Sequence, residues 1–315
     1  MTIHEITAAG IDLGSNTFRL LVANCSAGSL QVLAKKMATV RLGRGLEDYG
    51  QLHEESIQKG LAVLGSFKET LADYRLQSLR ICGTEALRHA NNSRHFLHKA
   101  EELLQHPIDI ISGEEEARLS LAGVLAGFTE PITNPLLLVD VGGGSTELVF
   151  APSPAEKTSV ASVGLGVIGL TEKFLDPSQL DLSHLDSLLA EKLNAAFKQL
   201  GLINKGGQIL IVGCGGTATS MAALDLNLSV YKAPLVHGYV LQNIAVERLW
   251  NKLVALPAAT RNALPCLGEG RGEILPAGIR IYHVILQLLQ ENRIRISDTG
   301  LLEGILLSSL PHAAA

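Results

Sequence analysis

Two short runs of small residues each follow an aspartate at the end of an apolar segment. The first run is Asp12-Leu-Gly-Ser-Asn-Thr17, and the second is Asp140-Val-Gly-Gly-Gly-Ser-Thr146. Backbone N–H groups in a tight glycine turn point into a concavity that suits phosphate oxygens, and hydroxyl side chains add donors. One such turn can be an ordinary hairpin, but two copies indicate a repeated phosphate-binding element. The predicted phosphate-binding residues are Gly14, Ser15, Asn16 and Thr17 in the first turn, and Gly142, Gly143, Gly144, Ser145 and Thr146 in the second.

A third glycine cluster, Gly213-Cys-Gly-Gly-Thr217, follows an apolar run at residues 209–212 and precedes a segment with helical composition. A strand, a glycine turn and a helix N-terminus together form an anion site. The run is not a Walker A loop, because no Lys-Ser/Thr pair follows it. We therefore predict that Gly215, Gly216 and Thr217 bind phosphate, with close strand–helix packing as the alternative explanation of the glycines.

Three acidic residues lie beside the two turns. Asp12 precedes the first turn, while Asp140 and Glu147 flank the second. Carboxylates next to phosphate turns suit Mg²⁺, a hard ion that takes oxygen ligands and shares them with substrate phosphates. These residues are the predicted metal ligands, and a local turn hydrogen bond is the alternative role for each aspartate.

A run of three glutamates, residues 114–116, opens a predicted helix. Acidic residues are favoured there by the helix dipole, and Ser112 with Glu115 has the spacing of a capping box. Glu116 differs, because it shares a helix face with Leu119, Ser120 and Gly123. A carboxylate on that face can orient and deprotonate a water molecule, so Glu116 is a candidate catalytic residue, with favourable interaction with the helix dipole as the alternative role.

Two arginines are candidate phosphate contacts. Arg88 lies early in a predicted helix, where the dipole does not favour a cation, and arginine suits bidentate contact with phosphate. Arg41 lies in a predicted loop after a strand, with a solvated surface position as the alternative.

The remaining pattern predicts the elements that position these residues. Short apolar runs alternate with longer segments of helical spacing, such as residues 54–74, which favours an α/β architecture. The two prolines in residues 130–135 indicate a boundary between domains at 1–130 and 131–315. The last helix is expected to be able to pack back on the first domain.

Composition restricts the class of protein. The chain has 315 residues, 47% of them hydrophobic and 18% charged, with a net charge of −5. This excludes intrinsic disorder and argues against nucleic-acid or membrane-surface binding. The four cysteines form no metal or redox motif, and no apolar leader opens the chain, so a reduced, cytoplasmic location is expected.

In this order, the motifs resemble the Ppx/GppA phosphatase family of exopolyphosphatases and guanosine pentaphosphate phosphohydrolases. Besides the three glycine turns, the resemblance rests on the runs at residues 41–43, 83–88, 111–118 and 296–300. It implies an actin-like, ribonuclease-H-like fold with two similar domains around an interdomain cleft, and Mg²⁺ dependence. It places the catalytic glutamate on Glu116, metal-associated acids on Asp140 and Glu147, and a phosphate contact on Arg88.

The function that the resemblance implies is hydrolysis of the terminal phosphoanhydride of inorganic polyphosphate. Hydrolysis of pppGpp is the first alternative, and an actin-fold kinase or a non-catalytic sensor of polyphosphate or an alarmone also stays open. A homodimer is expected at the family level. The chain is expected to be a short form without the helical, HD-like region of long members. Leu302 stands where the family often has arginine, and His237 receives no role.

Overall fold

The computed structural model describes residues 5–26, 29–130, 135–153, 157–175, 181–202, 208–268 and 270–311. Two compact units are present. Unit 1 contains the described residues up to Ala126 together with those from Gly300 onward, and unit 2 is Gly127–Thr299. Within the boundary segment predicted from the sequence, residues 131–134 lie outside the described part of the chain.

Unit 1 begins with a mixed sheet and its covering helices. The elements are β1 (Ile6–Leu13), β2 (Thr17–Ser26), β3 (Ser29–Thr39), α1 (Leu46–Tyr49), α2 (Glu54–Ala72), β4 (Ser78–Gly83), α3 (Glu85–His89), α4 (Ser93–Leu104), β5 (Asp109–Ile110) and α5 (Gly113–Gly127). The sheet order is β3-β2-β1-β4-β5. The first three strands are antiparallel neighbours, and β4 and β5 run parallel to β1.

One apolar layer holds α2 and α4 on the sheet of unit 1. Leu64 and Phe67 of α2 are buried, and so is Phe96 of α4. The ring of Phe96 lies 6.1 Å from that of Phe18 on β2. The helix predicted from the spacing of residues 54–74 is therefore confirmed as α2, and its apolar face lies in the core.

Unit 2 repeats the plan with more helices. Its elements are β6 (Leu136–Val141), β7 (Thr146–Ala151), β8 (Ser159–Val163), α6 (Val167–Phe174), α7 (Leu182–Gln199), β9 (Leu210–Cys214), α8 (Gly215–Asp225), α9 (Ala233–Val236), β10 (Val240–Gln242), α10 (Asn243–Val254), α11 (Ala258–Asn262), α12 (Arg271–Leu289) and β11 (Arg293–Ile296). The sheet order is β10-β11-β9-β6-β7-β8.

The two sheets share one topology. In unit 2, β6, β7 and β8 are antiparallel neighbours, and β9 and β11 continue parallel to β6. This matches β1, β2, β3, β4 and β5 of unit 1 strand for strand, with β10 added at an edge. The prediction of two similar α/β domains, made from the repeated aspartate–glycine runs, is confirmed by this connectivity.

A buried tyrosine braces the strands that carry the glycine turns of unit 2. Tyr282 on α12 is fully buried, and its hydroxyl oxygen lies 2.9 Å from the carbonyl oxygen of Val139 and 3.3 Å from that of Cys214. Val139 and Cys214 immediately precede Asp140 and Gly215. Burial raises the pKa of Tyr282 well above its ordinary value, so the hydroxyl remains a donor to these strands.

The last helix, α13 (Leu301–Ser308), belongs to unit 1. Leu302 and Leu306 pack against Ala8, Leu21 and Ala23 of β1 and β2. Since Leu302 is buried in this apolar cluster, its side chain has a packing role here. On the neighbouring face, Leu301 and Ile305 pack with Cys82 and Ile111.

Candidate active site

The first turn joins β1 to β2 and is tied into unit 1 by its backbone. The Gly14 N–H donates to the Thr17 carbonyl at 3.1 Å, which closes the turn. The Ser15 carbonyl accepts from the Gly43 N–H at 2.8 Å, and the Ser15 hydroxyl accepts from the Ala86 N–H at 3.2 Å. The Asn16 carbonyl accepts from the backbone N–H of Arg41 at 2.9 Å. The turn is thus held by the loop that follows β3 and by α3.

A salt bridge spans the base of this turn. Asp12 and Arg19 are direct partners in the β1–β2 register. Nε and one amino nitrogen of Arg19 each lie 2.6 Å from Oδ2 of Asp12, which is 1% exposed. Buried carboxylates require compensation of this kind, so Asp12 here shares its charge with an arginine.

The second turn joins β6 to β7 with the same backbone geometry. The Gly142 N–H donates to the Ser145 carbonyl at 2.9 Å. The carbonyls of Gly142 and Gly143 accept from the N–H groups of Val167 and Ile168 at the start of α6. The Thr146 hydroxyl donates to the Leu165 carbonyl at 2.6 Å. The glycine run therefore lies against the N-terminal turn of a helix.

Two acidic residues are cross-strand neighbours at the base of the second turn. Asp140 and Glu147 are direct partners in the β6–β7 register, so their side chains lie on one face of the sheet. Glu147 is 2% exposed, and its Oε1 accepts from the hydroxyls of Ser145 at 2.6 Å and Ser162 at 3.0 Å. Like charges at opposed positions destabilise a sheet. A cation bound between the two carboxylates would remove that repulsion.

The two hairpins therefore differ at one equivalent position. Arg19 follows Asp12 by the same seven residues that separate Glu147 from Asp140. Unit 1 has an ion pair at this point and unit 2 has two acids. Hard carboxylate oxygens in a pair match Mg²⁺, which usually binds one or two carboxylates and completes its shell with water and phosphate. Among the described residues, no group of three or more His, Cys, Asp or Glu side chains is placed to hold a metal ion.

The third glycine turn lies beside Asp140. Gly215 has φ +77°, and a Cβ there would lie 2.5 Å from Oδ1 of Asp140. Gly216 accepts a hydrogen bond from Arg271 through its carbonyl at 3.0 Å. The Thr217 hydroxyl donates a hydrogen bond to the Val141 carbonyl at 3.4 Å. A glycine is required at 215 both for the backbone conformation and to leave space for the carboxylate.

In unit 1 the candidate catalytic glutamate lies at the start of α5. Glu116 is 8% exposed, and its Oε2 accepts from an amino nitrogen of Arg88 at 3.1 Å. The same nitrogen of Arg88 donates to the Ile111 carbonyl at 2.5 Å, and the other amino nitrogen donates to Glu85. Burial lowers the pKa of Arg88, but Glu116 and Glu85 outweigh it, and the net pKa is raised. The guanidinium is a fixed cation beside Glu116.

The capping box predicted before Glu116 is half formed. The Ser112 hydroxyl accepts from the Glu115 N–H at 3.1 Å, as expected for an N-cap. The Glu115 side chain instead binds Arg80 at 2.6 Å. A strong tertiary ion pair replaces the reciprocal local bond.

Arg41 adopts a left-handed backbone conformation, with φ 59°, in the loop that supports the first turn. Its carbonyl accepts from the Ser56 hydroxyl at 3.1 Å. The predicted phosphate contact through its side chain stays a prediction.

Three residues near these turns were not among the candidates from the sequence. Arg19 had a readable signal, since its spacing from Asp12 repeats that of Glu147 from Asp140. Arg271 and Glu85 had no such signal, because Arg271 reaches Gly216 across 55 residues and Glu85 matters only through its ion pair.

His237, which received no role from the sequence, contacts backbone groups of unit 2 through both ring nitrogens. Its Nε2 lies 3.0 Å from the Gly127 carbonyl oxygen, and its Nδ1 accepts from the Asp298 N–H, so the histidine joins the two ends of unit 2.

The strand order and the repeated turn hairpins define the fold as the actin-like, ribonuclease-H-like α/β class. This chain belongs to the Ppx/GppA phosphatase family, whose profile matches residues 21–313.

Individual relatives show the extent of the similarity. The guanosine-5'-triphosphate,3'-diphosphate pyrophosphatase of Vibrio vulnificus is 31% identical over 94% of this chain, and the chain spans 58% of that protein's length. The putative exopolyphosphatase of Haemophilus influenzae is 29% identical over 97% of this chain and 91% of its own length. The crystal structure of the Aquifex aeolicus family member superposes with a TM-score of 0.80, at 28% identity, and covers 97% of each chain.

Among the helices that the structure describes, none is long and apolar enough to cross a membrane.

Proposed function

We propose that this chain is an Mg²⁺-dependent exopolyphosphatase, which removes orthophosphate from the end of inorganic polyphosphate. The observation that carries the proposal is the buried Glu116 carboxylate, fixed by Arg88 at the start of α5. The relative that bears the name of a putative exopolyphosphatase is matched over 91% of its length.

In the proposed reaction, Glu116 accepts a hydrogen bond from a water molecule and aims its oxygen at the terminal phosphorus. A bond forms between the water oxygen and phosphorus, while the bond from phosphorus to the bridging oxygen breaks. The water proton passes to Glu116, and the bridging oxygen leaves on a chain shortened by one phosphate. Because phosphoryl transfer has a loose transition state, positioning contributes more than base strength.

The turns supply donors for the phosphate oxygens. In the second turn the carbonyls of Gly142 and Gly143 are bound by N–H groups of α6, and the backbone N–H groups of the turn are the proposed donors to an anion. In unit 1, the Ser15 hydroxyl accepts from the Ala86 N–H and retains its own proton for donation. Arg19, held by Asp12, adds a positive charge next to that turn.

Asp140 and Glu147 are the residues that would hold Mg²⁺. The fit is chemical, since the two opposed carboxylates in the β6–β7 register are the hard oxygen donors that this ion prefers. When bound, the ion neutralises charge on the substrate phosphates. Ser145 and Ser162 orient Glu147 by donating to Oε1. Asp12, the third predicted ligand, is engaged by Arg19 and serves in this proposal to orient that arginine.

The test compares phosphate release from long-chain polyphosphate and from pppGpp, with Mg²⁺, by the wild type and Glu116→Gln. Loss of a positioned general base costs about 10²- to 10⁴-fold in rate. Glu115→Gln is the matched control, because Glu115 is the adjacent glutamate and binds Arg80 instead. The proposal predicts strong release from polyphosphate that collapses only in Glu116→Gln.

The alternative substrate is pppGpp, which the names of the Vibrio relatives support. Faster release from pppGpp, with the same loss in Glu116→Gln, would replace the substrate and keep the catalytic assignment. Equal rates for wild type and Glu116→Gln would remove Glu116 from the mechanism. Binding without turnover would favour a sensor, and ADP formation that requires an added acceptor would favour an actin-fold kinase.

A further inference from the structure

Glu85 begins α3 and holds the guanidinium that contacts Glu116. It lies three residues before Arg88 and forms an ion pair with one amino nitrogen, while the other amino nitrogen binds Glu116 and the Ile111 carbonyl. The side chains of Glu85, Arg88 and Glu116 are 20%, 17% and 11% exposed. The three form a row of alternating charge, Glu116–Arg88–Glu85, within unit 1.

We propose that Glu85 is a positioning residue for Glu116 and acts through Arg88. The inference rests on the proposed catalytic function of Glu116. An arginine side chain has a long, flexible stem, so a single contact does not fix the plane of its guanidinium. Glu85 on one amino nitrogen and Ile111 on the other fix that plane from two sides. The second hydrogen of the nitrogen that binds Ile111 then points at Glu116.

Glu85 also sets the charge that Glu116 experiences. With Glu85 ionised, Arg88 is shared by two carboxylates, so its net pull on Glu116 is reduced. Replacing Glu85 by glutamine keeps an acceptor of the same size and removes one negative charge. Glu116 then faces a less compensated cation, which favours its ionised form and weakens it as a proton acceptor. Activity should therefore persist to lower pH, with a lower maximum.

Among the described residues, further charged side chains lie on the same two helices. His89 on α3 lies with Nε2 3.3 Å from Glu85, and its side chain is 64% exposed. On α5, Glu115 pairs with Arg80 and Glu114 pairs with Arg118. His89→Gln removes the imidazole contact with Glu85 and so separates that contribution from the effect of Glu85 itself.

The experiment measures kcat and KM for phosphate release between pH 5 and 9, with the substrate that the wild type hydrolyses faster. Glu85→Gln should lower kcat about 10- to 100-fold, the range expected when a reacting group is misplaced by about 1 Å. KM should stay within about twofold, and the acid limb of the kcat profile should move to lower pH. Glu85→Asp, which restores the charge on a shorter stem, should return the acid limb toward the wild-type position.

A double-mutant cycle tests the route of action. If Glu85 works through Glu116, then Glu85→Gln should cost almost nothing further in a Glu116→Gln background. Additive losses would overturn the proposal, as would an unchanged kcat and acid limb in Glu85→Gln. Collapse in Glu116→Gln without any effect of Glu85→Gln would reject this inference alone, whereas an active Glu116→Gln would reject both.

A readout independent of turnover covers the case in which neither substrate is hydrolysed. In ¹⁵N-arginine spectra, the Arg88 side chain should give a sharp, slowly exchanging N–H signal in the wild type and a broadened one in Glu85→Gln. Glu115→Gln is the control in each measurement, and it should leave both the kinetics and the Arg88 signal unchanged. An unaltered Arg88 signal in Glu85→Gln would overturn the positioning role.

Discussion

Replacing Gly215 by alanine should disrupt the proposed metal site of unit 2, because the added methyl group would clash with the Asp140 carboxylate. Gly215 has φ +77°, and the added Cβ would lie 2.5 Å from Oδ1 of Asp140. Real Cβ atoms essentially never approach closer than 3.0 Å, so the carboxylate must move by at least about 0.5 Å. Asp140 is a short side chain on a braced strand, and it cannot withdraw without a change in backbone position or rotamer.

The expected cost has two separable parts. A left-handed backbone costs a non-glycine residue roughly 1–2 kcal/mol, and overpacking a buried site adds roughly 1–3 kcal/mol. Gly201 provides the matched control, because it has φ +72° and, among the residues that the structure describes, no atom lies within 4 Å of the added Cβ. Gly201→Ala should therefore show the backbone cost alone, and Gly215→Ala should show both.

The assay uses the single tryptophan, Trp250, which lies on α10 of unit 2 and so reports the unfolding of that unit. Urea unfolding by Trp250 fluorescence gives the stability difference, and Mg²⁺ titration of phosphate release gives the effect on the site. Gly215→Ala should raise the Mg²⁺ requirement or lower the rate by about 10- to 100-fold, as for disturbed metal ligands. If Gly215→Ala behaves like Gly201→Ala in both measurements, the reasoning about Asp140 is wrong.

Two further predictions concern unit 2. Ser145→Ala removes the hydroxyl that donates to Glu147 at 2.6 Å, so it should raise the Mg²⁺ concentration for half-maximal activity about tenfold. Ser162→Ala, which removes the 3.0 Å donor, should have a smaller effect. A changed KM for substrate with an unchanged Mg²⁺ requirement would contradict this prediction. Burial lowers the pKa of His283, and the neighbouring Arg280 lowers it further. Glu247 and Asp186 raise it, but the net pKa is lowered. As pH falls below 6.5, the histidine therefore takes up a proton in the unfolded chain before it does so in the folded one. The free energy of unfolding of unit 2 should then fall by up to about 1.4 kcal/mol per pH unit. His283→Gln should flatten this dependence in Trp250-monitored unfolding, and an identical slope would refute the assignment.

The repeated architecture was predictable because it is encoded locally. An aspartate at a strand end, a glycine turn and a second strand recur in the same order, and the structure confirms the two sheets that they imply. Strand and turn preferences depend on neighbouring residues, which the sequence shows directly. The domain limits and the site roles of individual residues stay predictions.

The charge pairing within the site was less predictable, for a physical reason. Asp12 and Asp140 look alike in sequence, but their cross-strand partners are Arg19 and Glu147, and these partners decide what each aspartate can do. Glu115 satisfied the local capping pattern and still bound Arg80, because a tertiary ion pair at 2.6 Å outcompetes a local hydrogen bond. Contacts between residues far apart in sequence decide such cases.

The return of α13 to unit 1 has a consequence for synthesis of the chain. The sheet of unit 1 emerges first, but the helix that covers Ala8 and Leu21 is made only after all of unit 2. At ribosomal rates of about 5–20 residues per second, that interval lasts roughly 10–35 s. During it, one apolar face of the nascent sheet lacks its cover. Unit 2, continuous in sequence, can finish folding before the unit that precedes it, which reverses the usual N-to-C order.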